Sequence, residues 1–269
     1  MNISNAVRVQ SQRVNNVEIK GSISDESVNF IVSLPPSYFA DTSRQYPVLF
    51  QLHGANESYK GSQVKVVSDF FENVWAKDVW EEAILVFPDG KSDSMWSDSK
   101  DRTIQVETNI IKEIIPYVDA NYRTRPNAQN RFIQGFSMGG FGALKLITKY
   151  PELFNKAMII DGALHTWPTI SAIRPGITSK IFSNNENYFN ETSNAENFLN
   201  QNMDLFMSEA RLFFGHGTMN IVRELNTKAL SYIDKIMIPY VINNNLNCGH
   251  NLECLLNALG HETFRYFSN

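Results

Sequence analysis

Residues 131–144 constrain the fold more tightly than any other stretch: Arg131-Phe132-Ile133-Gln134-Gly135-Phe136-Ser137-Met138-Gly139-Gly140-Phe141-Gly142-Ala143-Leu144. The run opens as a short apolar segment suited to a buried strand and closes in small and apolar residues suited to a helix. Between them stands Gly-x-Ser-x-Gly. A serine at the apex of a sharp strand-to-helix turn holds a strained backbone, so Gly135 and Gly139 must lack a Cβ to let the two arms pass. Such a turn leaves the Ser137 hydroxyl standing at the edge of a sheet, beside the free N–H groups of the following helix. The pattern therefore predicts a nucleophile at Ser137. The plainer alternative is a glycine-rich turn with a capping serine.

The flanking sequence supplies further strands and helices in alternation. Residues 5–14 and 28–34 read as antiparallel opening strands. The continuous apolar run Tyr46-Pro47-Val48-Leu49-Phe50-Gln51-Leu52 suits a central parallel strand buried on both faces, as does Ala83-Ile84-Leu85-Val86-Phe87. Helices are expected over 66–76 and over 104–121, where Val106, Ile110, Ile111, Ile114, Ile115 and Val118 fall at helical spacing. The polar segment between Lys91 and Arg102 carries one aromatic read as exposed, Trp96. After the serine turn come a strand over 156–160 ending at Asp161-Gly162, a strand over 211–214 and a helix with Ile221, Leu225, Ala229, Tyr232 and Ile236 down one face. A strand over 239–243 and a last helix to about Phe267 close the pattern. Residues from Ala163 to about Ser208 break the alternation. They read as an irregular lid or binding wall with fragments of helix such as Ala195 to Leu199. Strands alternating with helices predict an α/β domain, with a mostly parallel central sheet and helices on both faces.

At 269 residues, 43% of them hydrophobic, the chain is long enough for one large domain, taken as 1–269 with the insertion at about 163–208. A net charge of −4 without a basic block argues against a nucleic-acid surface. The first twenty residues do not read as a signal peptide, and no run approaches the length that spans a bilayer. Cys248 and Cys254 suggest neither a disulfide framework nor a zinc site. Cytoplasmic residence is the default expectation. No metal or other cofactor is expected, because no ligand spacing or phosphate-binding pattern is present.

A serine hydroxyl needs a general base within hydrogen-bond reach. Of five histidines, His250 stands after the last expected strand and immediately before the final helix. That position makes it the expected base. An oxyanion needs backbone donors. These are expected from Met138, just after the nucleophile, and from Ala55 in His53-Gly54-Ala55, with His53 bracing the loop.

Taken together, Leu34-Pro35-Pro36-Ser37-Tyr38, Tyr46 to Gly54, Phe87-Pro88-Asp89-Gly90, Glu113 to Asp119, Gly135 to Gly140 and Gly249-His250 resemble the esterase-D-like α/β-hydrolases. That family includes feruloyl and acetylxylan esterases, S-formylglutathione hydrolases and mycolyltransferases. The pieces run in family order over nearly the whole chain. The resemblance implies the α/β-hydrolase fold and an esterase or acyltransferase with Ser137 and His250 as its pair.

The third member departs from the family. There the acid follows the next-to-last strand, but here that turn reads Gly215-His216-Gly217-Thr218-Met219-Asn220, with no carboxylate. Asp161, at the end of the strand after the serine turn, is the preferred acid. Glu224 is the alternative, and a dyad without an acid is a third. The leading function is hydrolysis of a small-molecule ester or thioester through an acyl-serine. An acyltransferase using the same intermediate and a non-catalytic protein on the same scaffold are the rivals. Trp96, Trp167, Phe182 and Tyr188 are candidates to border the pocket.

Overall fold

The computed structural model describes residues 13–218 and 222–268. Eight strands form one sheet in the order β1-β2-β4-β3-β5-β6-β7-β8. They are β1 (Val14–Lys20), β2 (Ser27–Ser33), β3 (Val48–Leu52), β4 (Ile84–Pro88), β5 (Arg131–Phe136), β6 (Ala157–Ile160), β7 (Leu212–Gly217) and β8 (Tyr240–Leu246). β1 and β2 are antiparallel, β2 meets β4 antiparallel, and every later neighbour is parallel. The mostly parallel sheet is thus as expected. The expected strand over 5–14 lies almost wholly outside the described residues; β1 begins where it would end.

Side-chain alternation along the strands divides the core into two layers. Val48, Phe50 and Leu52 of β3 face one side, while Leu49 faces the other. Against the second face pack α1 (Ser62–Ala76) and the C-terminal elements α11 (Leu252–Leu259) and the 3₁₀ turns His261–Phe267. The expected last helix stops early because Gly260, at φ 73°, ends it in a conformation that favours glycine. Against the first face lie α2 (Val106–Thr108), the π-helical stretch Asn109–Ile114, α3 (Ile115–Asn121), α4 (Met138–Lys149) and α10 (Arg223–Lys235).

The segment read as irregular is helical. It contains α5 (Trp167–Ile173), α6 (Pro175–Phe182), α7 (Glu186–Thr192), α8 (Ala195–Gln201) and α9 (Met203–Met207). α8 begins at the fragment expected over Ala195 to Leu199; the other four are too short to show a periodic apolar stripe. Side-chain caps start two of them: Asn185 accepts from Tyr188 N and Asn194 from Glu196 N. Phe182, Phe189 and Phe206 are fully buried within this segment, and the Phe182 and Phe189 rings meet edge-on at 5.1 Å. Phe182 is therefore core and not pocket border.

Trp96 is likewise fully buried, which corrects its reading as exposed. Its ring covers Gly90 and Gly142, where any Cβ would come within 2.6 Å of the indole. The polar residues around it belong to a buried ionic cluster. Lys145 Nζ on α4 donates to Trp96 O (2.5 Å), Ser97 Oγ (3.0 Å) and Glu107 Oε2 (2.6 Å). The other Glu107 oxygen takes Lys149 Nζ and the Tyr150 hydroxyl, each at 2.6 Å. Lys149 also reaches Thr192 O at 3.1 Å and Ser97 Oγ meets Ser193 Oγ at 2.9 Å, fastening α7 to the body.

Burial pushes the Glu107 carboxyl up, but Lys145 and Lys149 outweigh it and bring it down to about 2. A carboxyl depressed below its ordinary 4.5 stabilises the fold fully above that pH and loses the contribution as the pH falls toward 2. Glu107→Gln should therefore lower unfolding stability by ~3–5 kcal/mol at pH 7, because it strands the Lys145 charge in the core. Urea titrations at pH 7 and pH 3 check this, with the gap between wild type and variant narrowing at the lower pH.

Candidate active site

β5 runs straight into α4 through Ser137, whose φ of 56° and ψ of −116° lie in a strained region for a residue with a Cβ. The turn is possible because its glycines touch other backbone. A Cβ on Gly135 would lie 2.0 Å from Gly139 O, and one on Gly139 would lie 2.0 Å from Leu52 O. Both contacts are closer than any side chain permits, so the turn is pinned to β3 on one side and to itself on the other. Ser137 N donates to Ile160 O at 3.0 Å, and Ala163 N donates back to Ser137 O at 2.8 Å. These bonds fix the ends of β5 and β6 beside one another.

His250 and Asp161 converge on this serine. Ser137 Oγ lies 2.9 Å from His250 Nε2, and His250 Nδ1 lies 3.0 Å from Asp161 Oδ2. The carboxylate accepts, so Nδ1 carries the proton and Nε2 is left free to accept from the serine hydroxyl. Asp161 is fully buried, and its other oxygen accepts from Gly217 N at 2.9 Å. The His250 ring rests on Phe136, with centroids 4.6 Å apart and planes 31° from parallel. A carboxylate held by a backbone N–H and a ring held by a phenyl face leave the imidazole little freedom. This arrangement can draw a proton from the serine and stabilise the imidazolium that results.

Glu224, the alternative acid, sits on the first turn of α10 with its side chain 79% exposed and paired to Lys228 at 2.7 Å. It is not on His250. The structure thus brings Ser137, His250 and Asp161 together, with Asp161 directly after β6. Of the stretch that lacks a carboxylate, Met219 and Asn220 lie outside the described residues, and Gly217, at the end of β7, supplies the N–H that orients Asp161.

The remaining histidines have other surroundings. His53 is buried, and burial lowers its pKa. Gly90 N donates to its Nε2 at 2.9 Å, so its Nδ1–H donates to Gly54 O at 2.8 Å. It therefore braces the loop as expected, and Trp96 Nε1 adds a bond to His53 O at 3.2 Å. Gly54 lies against the serine, since a Cβ there would be 3.4 Å from Ser137 Cβ. Ala55 follows it, half-buried, and Met138 is the first residue of α4. His165 is held near a pKa of about 4 by burial and by Arg174, and burial also lowers that of His216. His261 stacks on Phe70 at 4.9 Å, on α1.

One reading from the sequence is overturned beside the site. Cys248 and Cys254 form a disulfide, with their Cα atoms 5.9 Å apart. Composition argued against a disulfide because two cysteines make no framework. The fold decides otherwise, since the chain leaving β8 doubles back into the first turn of α11. Of the two residues it joins, Cys248 is buried and Cys254 is exposed. Among the described residues no helix is long and apolar enough to cross a membrane, and no cluster of histidine, cysteine and carboxylate side chains has the grouping of a metal site.

Against known proteins, a family model described as "Putative esterase" matches residues 21–204. The chain belongs to this esterase family. An esterase of Mycobacterium tuberculosis is 33% identical over 136 residues, 48% of this chain and 28% of that protein. The chain thus spans little more than a quarter of that esterase. The uncharacterized protein YbbA of Bacillus subtilis is 24% identical over 189 residues, 61% of this chain and 71% of that protein. Among solved structures, a ferulic acid esterase superposes with a TM-score of 0.78 at 20% identity, covering 95% of this chain and 97% of that one. An S-formylglutathione hydrolase of Staphylococcus aureus gives 0.75 at 16% identity, covering 96% and 100%. At such identities these neighbours establish the α/β-hydrolase fold for this esterase-family chain.

The Nδ1 proton shared by His250 and Asp161 should give a downfield one-dimensional proton resonance. Asp161→Asn should abolish it and Glu224→Gln should leave it in place. Loss in the second variant alone would transfer the acid's position to Glu224.

Proposed function

We propose that the protein is a serine carboxylic ester hydrolase that cleaves a small-molecule ester or thioester through an acyl-Ser137 intermediate. The observation that carries this reading is the relay from buried Asp161 through His250 to Ser137, at 3.0 and 2.9 Å. His250 Nε2 takes the hydroxyl proton as Ser137 Oγ bonds to the acyl carbon. The same proton then passes to the departing alcohol or thiol as its bond to carbon breaks. Water, deprotonated by His250, then bonds to the acyl carbon; the carbon–Oγ bond breaks, and Ser137 Oγ takes the proton back from His250 as the carboxylic acid leaves.

The negative oxygen formed in each step is assigned to the backbone N–H groups of Ala55 and Met138. Two features support this. Met138 begins α4, where N–H groups have no partner one turn earlier. The peptide joining Gly54 to Ala55 is held by the His53 bond to Gly54 O, and in a trans peptide the N–H points opposite to the carbonyl. His53 therefore turns the Ala55 N–H away from itself. In the same reading α5–α9 form a fixed wall for the acyl group and not a hinged lid, because Lys149, Ser97 and Asn202 tie the segment down. The solved neighbours are named as an esterase of ferulic acid and a hydrolase of S-formylglutathione, which points to oxygen esters and to a thioester. Methyl ferulate and S-formylglutathione are thus the first substrates to compare.

Ser137→Ala and His250→Ala should each reduce kcat on a nitrophenyl acetate by several orders of magnitude, and the double variant should lose little more. Asp161→Asn should lose ~10⁴-fold, since it favours the wrong imidazole tautomer. A fluorophosphonate should add to Ser137 in the wild type, as read by intact mass. A Ser137→Ala protein that hydrolyses the ester at the original rate would end this assignment.

A further inference from the structure

We infer that the Cys248–Cys254 disulfide is a positioning device for His250, which makes hydrolysis sensitive to thiol reductants. The inference rests on the reading of His250 as the general base. His250 lies inside the six-residue separation that the bond closes, between the end of β8 at Leu246 and the start of α11 at Leu252. The two sulfurs stand in unlike surroundings. Cys248 is 3% exposed and packs in the layer of core shared with Leu246, Leu252 and Leu255, whereas Cys254 is exposed on the outer side of α11.

The backbone bonds of this loop are short-range. Cys248 N donates to Leu246 O at 2.7 Å and Asn251 N to Gly249 O at 2.8 Å. Asn251 caps α11 by accepting from Cys254 N at 2.9 Å. With Leu255 N donating to Asn251 O at 3.0 Å, these bonds join the His250 segment only to the two elements that flank it in sequence, β8 and α11. What ties the imidazole to the body is its own pair of bonds, to Asp161 and Ser137, and the Phe136 face. Those are the contacts that must hold still while a proton moves. The disulfide adds a covalent strut from the buried start of the loop to a helix whose inner face, Leu252, Leu255, Leu256 and Leu259, is anchored in the core. With the strut cut, α11 and β8 keep their packing, and the freedom gained falls on the few residues carrying the base.

Cys254, the exposed one of the two cysteines, is where a dithiol enters. A reductant thiolate bonds to Cys254 Sγ as the S–S bond breaks, and Cys248 leaves as a thiolate and takes up a proton. The reductant's second thiolate then closes on the first, releasing Cys254. The protein gains two thiols and the dithiol becomes a cyclic disulfide.

The test uses the full chain, purified under oxidising conditions, with dithiothreitol as the probe and nitrophenyl acetate as substrate. Reduction should lower kcat by ~10- to 100-fold with KM nearly unchanged, the scale expected when a catalytic group is displaced by about an ångström. Fluorophosphonate labelling of Ser137 should slow in proportion. The far-ultraviolet circular dichroism should stay as it was while the downfield His250 proton resonance disappears. Re-oxidation should restore the rate, and Cys254→Ser should show the reduced rate with no response to dithiol. Full kcat in protein shown by thiol titration to carry two free thiols would overturn the inference. So would two free thiols in the oxidised preparation, or loss of the circular dichroism on reduction, which would make the bond a general staple. Failure of the hydrolase reading itself looks different: the oxidised protein would then be inactive, or indifferent to His250→Ala.

Discussion

The contact on which the structure depends is that of backbone against backbone at the serine turn. Gly139 lies so close to Leu52 O that no other residue can stand there, and Gly135 is equally close to Gly139 itself. This brings the start of α4 onto the end of β3, so the loop 53–55 and the serine share one small space. It also holds Ser137 in a backbone conformation its own Cβ disfavours. Strain of that kind persists only where the surroundings over-determine it. Here they comprise a parallel strand on each side of β5 and two hydrogen bonds to the end of β6.

Beneath the turn, the Glu107–Lys145–Lys149 cluster joins α2 and α4, which lie on the same face of the sheet. Lys145 projects from α4 into the polypeptide around Trp96, and Trp96 in turn bonds to His53 O. A continuous path therefore runs from an ion pair in the core to the loop beside the serine. Ion pairs in such surroundings are weak evidence for stability, because desolvation offsets much of their attraction, but they are demanding about geometry. That suits a region in which a helix, a loop and the end of α7 must keep register.

The acid shows how one constraint can be met from a different strand. Asp161 ends β6 and β7 follows it in the sheet, so an aspartate at either strand end would stand near the last loop. With the carboxylate directly after β6, the last residue of β7, Gly217, contributes a backbone N–H to it. The two strand ends have exchanged donor and acceptor roles, and the histidine sits between Asp161 and Ser137 in hydrogen-bond contact with both.

Much of this was legible in the sequence because it is local. Continuous apolar runs marked β3, β4 and β5, helical spacing marked α1 and the 106–121 helix, and Gly-x-Ser-x-Gly marked the turn through steric necessity. Ser137, His250 and the preference for Asp161 followed from their places at strand ends. Trp96, the ionic cluster, four of the five short helices (all but α8) and the disulfide were not legible. An aromatic in a polar loop looks exposed until two distant glycines are seen to make room for it. Glu107 and Lys145 are separated by 38 residues, and each alone reads as a solvated charge. Cys248 and Cys254 become partners only when a loop turns back on a helix. Periodicity and short motifs report which face of an element is buried; contacts between elements are decided by how the faces meet, and only the tertiary structure carries that information.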